Sequence, residues 1–223
     1  MSEPKALKVF ISGQKYFGGS ILRLCIDMGL TVVGVCCPPG DKYIGRLAAI
    51  NEIKIIPSGS LSYETMPDNV DIGISAHSFD YVGKKTRYKP TYGWIGYHPS
   101  LLPRHRGRSA IEWAIRMRDP ITGGTVFWLN SGIDRGDIAA QKWVWIEPKY
   151  FIGSPRKAAS DLWRDKLLGL GVELMRETIS DITNGKFIRI PQQADVSTWE
   201  PSTDVNDIFK PDLLMLPPPT KSM

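Results

Sequence analysis

The sequence predicts an α/β protein with a doubly wound, mostly parallel sheet, followed by a long C-terminal helix and an extended tail. Three observations carry that expectation. Short apolar runs alternate with helical patterns through the first half of the chain, an order that places helices on the faces of a parallel sheet. The run Thr31 to Cys37 is rich in β-branched residues and reads as a strand buried on both faces. Glycine and proline punctuate these runs, with Pro38-Pro39-Gly40-Asp41 the clearest break.

In chain order, Lys8-Val9-Phe10-Ile11 is the first strand. Gly18-Gly19 then open a helical pattern through Ile21, Leu22 and Cys25 to Met28, closed by Gly29. The stretch Gly13 to Gly19 does not spell G-x-G-x-x-G and reads as a tight strand-to-helix turn. A helix is expected over Tyr43 to Asn51, and strands over Lys54 to Ile56, Asp71 to Ala76 and Gly93 to Tyr97. Ser109 to Met117 is helical, with Ile111, Ala114 and Ile115 at helical spacing. Strands follow over Gly124 to Leu129 and Ile138 to Ile146. Ser154-Pro155 supplies an N-cap and a first-turn proline for a long helical region that stops at Asn184-Gly185. Its stripe of Leu162, Leu167, Leu170, Leu174 and Ile179 is core. The tryptophans Trp94, Trp113, Trp128, Trp143, Trp145 and Trp163 are also assigned to the core, with an acceptor platform as the rival reading for Trp143 and Trp145. After Pro191 the chain changes character, so residues 1–193 are taken as the catalytic domain and 194–223 as a tail. That tail either folds against the body through Trp199, Phe209 and Leu213-Leu214 or serves as a linker.

Composition bounds the function. With 42% hydrophobic and 23% charged residues the chain is an ordinary globular one, and no apolar run approaches the ~20 residues of a membrane helix. The first residues carry no secretory pattern, so cytoplasmic residence is expected. Cys25, Cys36 and Cys37 have no zinc-ligand spacing and read as buried thiols, so no metal is expected. The formal charge of +5 gathers in two clusters, Lys84, Lys85, Arg87 and Lys89, and Arg104, Arg106 and Arg108. These are either solvated loops or an attraction for an anionic substrate. No nucleic-acid recognition module is legible, so a nucleic-acid partner is not expected.

The chemistry concentrates in Gly96-Tyr97-His98-Pro99-Ser100-Leu101-Leu102-Pro103-Arg104-His105-Arg106-Gly107 and in Gly132-Ile133-Asp134-Arg135-Gly136-Asp137. His98 stands at the end of a strand, where ligands gather in open α/β sheets. A histidine and an aspartate brought together suffice for general acid–base work on an acyl group. The two segments resemble the folate-dependent formyltransferase family, whose signature is N-x-H-P-S-L-L-P followed by a D-x-G loop. Further matches at Gly13-Gln14, Phe17-Gly18, Val32 to Val35, Ser109-Ala110-Ile111, Trp113 and Ile190-Pro191-Gln192 extend the resemblance over residues 7 to 193. Within the family they look most like the N-terminal formyl-hydrolase domain of 10-formyltetrahydrofolate dehydrogenases.

The resemblance implies a Rossmann-like formyltransferase fold and 10-formyltetrahydrofolate as formyl donor. It implies His98 as acid–base and oxyanion partner, Asp134 as the group that orients or charges it, and Ser100 as a brace for the His98 loop. The backbone of Phe79, Asp80, Tyr81 and Val82 would read the pterin, and Ser131, Gly132 and Ile133 would complete the pocket with Asp134. Position 96 departs from the family: its usual Asn is Gly96, which has no side chain to donate to the developing oxyanion. The formyl-hydrolase domains lack that Asn too and carry an aliphatic residue. His77 is expected to satisfy a strand end near the pocket, His105 to be exposed or bracing, and Asp137 to brace its loop. Three readings stand: formyl transfer to a small-molecule amine such as an amino sugar or nucleotide-linked amine, hydrolysis with water as acceptor, or folate binding without catalysis. A homodimer is left open.

Overall fold

The computed structural model describes residues 6–203. Its strands are β1 (Lys8–Gly13), β2 (Thr31–Cys37), β3 (Ile55–Pro57), β4 (Ile72–Ala76), β5 (Trp94–His98), β6 (Ile121–Trp128) and β7 (Ile138–Trp145). Its helices are α1 (Lys15–Asp27), α2 (Ile44–Ile50), α3 (Lys84–Arg87), α4 (Ala110–Arg116), α5 (Pro155–Leu162) and α6 (Leu168–Thr183). The strands form one sheet in the order β3-β2-β1-β4-β5-β6-β7. From β3 to β5 all neighbours are parallel, and β6 alone runs against the rest. The mostly parallel α/β architecture is therefore present.

Both faces are covered, which is why the strands read as apolar runs. On one face Val9, Ile11, Val35, Ile72 and Ile74 pack with Phe17, Ile21 and Leu22 of α1 and with Leu174 and Ile179 of α6. On the other, Phe10, Cys36 and Trp94 pack with Ile56, Met66, Val70 and Val82. A third cluster joins Ala114 and Ile115 of α4 to Leu162 and Leu167 of the C-terminal helical region.

The first turn is tight because two glycines touch. A Cβ on Gly13 would lie 2.7 Å from the Ala76 carbonyl, and one on Gly18 would lie 3.1 Å from the Gly13 carbonyl carbon. Helix α1 begins at Lys15, earlier than the glycine pair suggested, because Asp41 accepts from the Lys15 N–H at 2.8 Å and caps it. That carboxylate occupies the helix end where a dinucleotide fold would hold phosphate.

Other corrections follow from burial. Ser154 occupies the N-cap position of α5 but its hydroxyl makes no capping bond. The long C-terminal helical region is interrupted by a π turn at Trp163–Leu167, whose Leu167 carbonyl accepts from the Tyr97 hydroxyl at 2.8 Å. Trp143 and Trp145 are more than half exposed on the edge strand β7 rather than in the core. They share a sheet face with Gln141, which pairs with Thr125 and so with His98, but lie further along β7.

Residues 194–203 lie against the body. Thr198 N–H donates to the Pro103 carbonyl at 3.1 Å, Arg106 N–H donates to the Thr198 carbonyl at 3.2 Å, and the Trp113 indole donates to the Pro201 carbonyl at 2.7 Å. Of the other expected tail contacts, Phe209, Leu213 and Leu214 lie outside the described residues. Among the described residues no helix is long and apolar enough to cross a membrane.

Gly73 of β4 lies against the indole of Trp94, so close that a Cβ would come within 2.2 Å of the ring. Gly73→Ala should lower the unfolding free energy by about 2–3 kcal/mol through overpacking, read by urea titration. A loss under about 0.5 kcal/mol would show that Trp94 can move aside.

Candidate active site

His98 is the last residue of β5 and is 7% exposed. Alternation along the strand turns Tyr97 toward Phe17 and Trp163 on one face, so Gly96 and His98 point to the other. The loop that follows is tied to the sheet through Thr125 of β6. The Thr125 hydroxyl donates to the Ser100 carbonyl at 2.7 Å and accepts from Leu102 N–H at 3.2 Å. Gln141 donates to both Thr125 Oγ1 and the Leu102 carbonyl, at 2.8 and 2.9 Å. Ser100 is fully buried, and its hydroxyl donates to the Arg104 carbonyl at 2.6 Å.

This loop carries the His105 carbonyl to 2.7 Å from His98 Nε2. A carbonyl only accepts, so Nε2 carries the hydrogen. The other ring nitrogen, Nδ1, is 3.6 Å from Asp134 Oδ2. In the neutral ring Nδ1 is therefore the basic atom, beside a carboxylate.

Asp134 reaches His98 by a fold-back. Leu129 N–H, at the start of its loop, bonds to the Trp94 carbonyl at the opposite end of β5. The loop then returns along the sheet face until Asp134 Oδ2 accepts from Gly107 N–H at 2.9 Å. Gln192 holds it there, donating to the carbonyls of Asp134 and Gly136 at 2.9 and 2.8 Å while its oxygen accepts from Arg106 at 2.7 Å. Gly136 is obligatory, since a Cβ would overlap the Trp128 carbonyl oxygen at 1.5 Å. Ser131 and Ile133 are exposed, and Gly132 N–H bonds to the Asn130 side chain at 2.8 Å.

The segment Phe79 to Val82 is anchored by Asp80, which accepts from Ser58 Oγ at 2.8 Å and from Gly59 N–H at 2.5 Å. Val82 is buried, whereas Phe79 and Tyr81 stand exposed. Arg108 lies 5.1 Å over the Phe79 ring, which links this segment to the end of the His98 loop. His77, just past β4, sits edge-on to Phe79 and to Trp163. Burial, aided by the charge of Lys15, lowers its pKa, so its ring is neutral at physiological pH. His77, His105 and Asp134 all have left-handed backbones, with φ of 60°, 56° and 52°. Non-glycine residues held this way are costly and persist only where surrounding bonds overdetermine them.

Gly96 does not leave an open gap. A Cβ there would meet Leu129 Cδ1 at 2.9 Å, so the leucine side chain fills the space of the missing residue. Leu129 belongs to the apolar cluster of Phe10 and Trp94. The space beside Gly96, two residues before His98, is therefore apolar, filled by Leu129 with the Phe127 ring 3.6 Å away.

The basic clusters are largely consumed by the fold. Lys89 pairs with Asp68 at 2.9 Å, Arg104 with Asp119 at 2.7 Å, and Arg87 is buried against the Val82 carbonyl. His105, expected exposed or bracing, is buried between two carboxylates. Burial pushes the Cys25 and Cys36 thiols up to about 12 and Cys37 to about 11, so none is a nucleophile at neutral pH. A groove of about 570 Å³ between α1, α2 and α6 holds none of these site residues. Among the described residues there is no cluster able to hold a metal ion.

The formyl transferase family model matches residues 61–162, the stretch that contains His98, Ser100 and Asp134. The cytosolic 10-formyltetrahydrofolate dehydrogenase of Xenopus laevis is 30% identical over 210 aligned positions, covering 87% of this chain and 22% of that protein. The chain is similar to the formyl transferase family over the stretch that carries the site. It thus spans about a fifth of the length of that relative. The N-formyltransferase of Helicobacter canadensis, solved with folinic acid and dTDP-3-aminofucose, shares the fold. Its TM-score is 0.70 at 20% identity, over 90% of this chain and 72% of that one. A 4-N formyltransferase from Francisella tularensis gives 0.69 at 25% identity, over 89% of this chain and 77% of that one.

The sequence motifs and the family resemblance flagged His98, Asp134 and Ser100, but not Leu129, Thr125 or the three-way role of Gln192, whose only sequence signal was the Ile190-Pro191-Gln192 match. Gln192→Ala should lower stability by roughly 1–2 kcal/mol and speed amide exchange selectively at residues 132–136. Unchanged exchange there would mean that the Asp134 loop is held without Gln192.

Proposed function

We propose that this chain takes the formyl group of 10-formyltetrahydrofolate and transfers it to an amine on a small acceptor, of the amino-sugar or nucleotide-linked kind. The observation that carries the reading is the approach of Asp134 to the ring of His98, both held in loops that the fold immobilises. The dTDP-3-aminofucose and folinic acid bound to the Helicobacter canadensis relative support the acceptor and donor classes. The catalytic unit is residues 1–193, with residues 194–203 packed on it.

In this scheme the amine nitrogen attacks the formyl carbon and a tetrahedral intermediate forms, with negative charge on the former carbonyl oxygen. His98 is the catalytic acid–base. The amine loses a proton to Nδ1, and the imidazolium so formed is stabilised by Asp134. As the bond between the carbon and folate N10 breaks, that proton passes to N10. The carbon–nitrogen bond to the acceptor is gained and the bond to N10 lost, with no net change in oxidation state. Phe79 to Val82 offer the backbone that reads the pterin, and Ser131 to Ile133 close the pocket beside Asp134.

One observation favours water over an amine. Leu129 places aliphatic volume where the usual Asn would donate, as an aliphatic residue does in the formyl-hydrolase domains that the sequence resembles. Loss of the formyl group from 10-formyltetrahydrofolate, followed by absorbance with and without a pool of amines, separates the readings. Turnover only with amines supports transfer, turnover without them supports hydrolysis, and folate binding without turnover would leave a binding protein. In either enzymatic case His98→Ala and Asp134→Asn should each lower kcat by about 10²–10⁴-fold. The double variant Gly96→Asn with Leu129→Ala, which makes room for an amide beside His98, should raise kcat by about tenfold or more if a missing donor limits the rate. An unchanged or lower kcat with His98 intact would show that the aliphatic wall suits the reaction.

A further inference from the structure

The His105 ring takes no part in the proposed formyl transfer, yet it is buried between two carboxylates. Its side chain is 3% exposed. Nε2 lies 2.7 Å from Asp119 Oδ2, in the turn between α4 and β6. Nδ1 lies 3.1 Å from Glu200 Oε1, on the C-terminal segment, and the Glu200 side chain is also 3% exposed. Arg104 on the same loop engages both oxygens of Asp119, at 2.8 and 2.7 Å.

Charge balance decides the state of this cluster. Asp119 and Glu200 carry two negative charges and Arg104 carries one positive. A neutral His105 would leave one buried carboxylate uncompensated, whereas an imidazolium closes the balance. A neutral ring would also have only one hydrogen for two carboxylates. Burial pulls the His105 pKa down, but the bond its ring donates to Asp119 and the adjacent Glu200 carboxylate outweigh it and the net direction is up. For Asp119, burial pushes the carboxyl up and the bonds from His105 and Arg104 more than offset it.

The backbone of the same residue does the connecting. The His105 carbonyl is the acceptor for His98 Nε2. Its N–H donates to Thr198 Oγ1 at 2.8 Å, and Thr198 also bonds to Pro103 and Arg106 on either side. The left-handed φ of 56° at His105 is therefore held by the ring, the N–H and the carbonyl together.

We propose that His105 is a positioning residue: clamped as an imidazolium between Asp119 and Glu200, it fixes the carbonyl that sets the orientation and tautomer of the His98 ring, so that Glu200 and Thr198 of the C-terminal segment serve the active site. This rests on the reading of His98 as the catalytic acid–base. It makes a segment over 90 residues distant in sequence a determinant of turnover, and it links activity to the protonation of a second histidine. The sign of that link is set by the raised pKa. The clamp is complete below the ordinary histidine value and is lost as pH rises through the higher folded value.

The chain has three histidines, so ¹⁵N-histidine labelling of the full protein with single substitutions assigns all three rings. The His105 ring should be doubly protonated at neutral pH. Glu200→Gln should lower its titration midpoint and shift the His98 ring signals. With 10-formyltetrahydrofolate, Glu200→Gln should lower kcat about tenfold with KM within about twofold, and move the alkaline limb of the kcat profile to lower pH. Thr203→Val removes bonds to Ser109 and Glu112 on the same segment. It should cost stability while leaving kcat and the pH profile unchanged. A neutral His105 ring at neutral pH, or a Glu200→Gln variant whose His98 signals and kcat match the wild type, would overturn the proposal. If the wild type has no turnover at all, the function proposed above fails, and the ring titrations alone still decide the clamp.

Discussion

The bond from His98 Nε2 to the His105 carbonyl is the contact on which the site turns. A buried imidazole needs partners for both nitrogens, and this one bond assigns the hydrogen, orients the ring and leaves Nδ1 facing Asp134. The carbonyl can be there only because the loop after β5 doubles back, and the loop doubles back because Thr125 and Gln141 tie its middle to the sheet. Much of the surrounding architecture supports that geometry: the reversed strand β6 supplies Thr125, the edge strand β7 supplies Gln141, and the C-terminal segment supplies Thr198 and Glu200.

The second constraint is the aliphatic wall at Leu129. In a parallel sheet the end of β5 would face β4 on one side and a sixth parallel strand on the other. Here β6 runs backward, so its exit at Leu129 comes past Gly96 and the following loop can travel along the face to His98. The absence of a side chain at 96 and the presence of Leu129 are one packing solution. A larger residue at 96 needs Leu129 to yield.

Much of this protein is legible in its residue order. The apolar runs of β1, β2 and β4 identify the doubly wound half because strands buried on both faces have no polar alternation. Gly29 and Gly185 mark helix ends because a left-handed backbone follows there. The His-Pro-Ser-Leu-Leu-Pro run and the Asp134 loop are legible because they resemble the formyltransferase signature and carry a histidine and a carboxylate suited to acid–base chemistry. What misled was local propensity read without neighbours. The tryptophans of β7 have the composition of a core strand but stand more than half exposed on it. Helix α1 starts before its glycines because Asp41, distant in sequence, caps it.

The sequence by itself determined the alternation of elements, the candidate His98 and Asp134, and the lack of a donor side chain at 96, since each is a property of residues near one another in the chain. Only the tertiary structure decided which nitrogen of His98 is basic, what fills the space beside Gly96, and that Gln192, Thr198 and Glu200 reach the site. Those depend on partners from 7 to 95 positions apart, and a hydrogen bond or a van der Waals contact is set by distance in space, which periodicity and propensity do not encode.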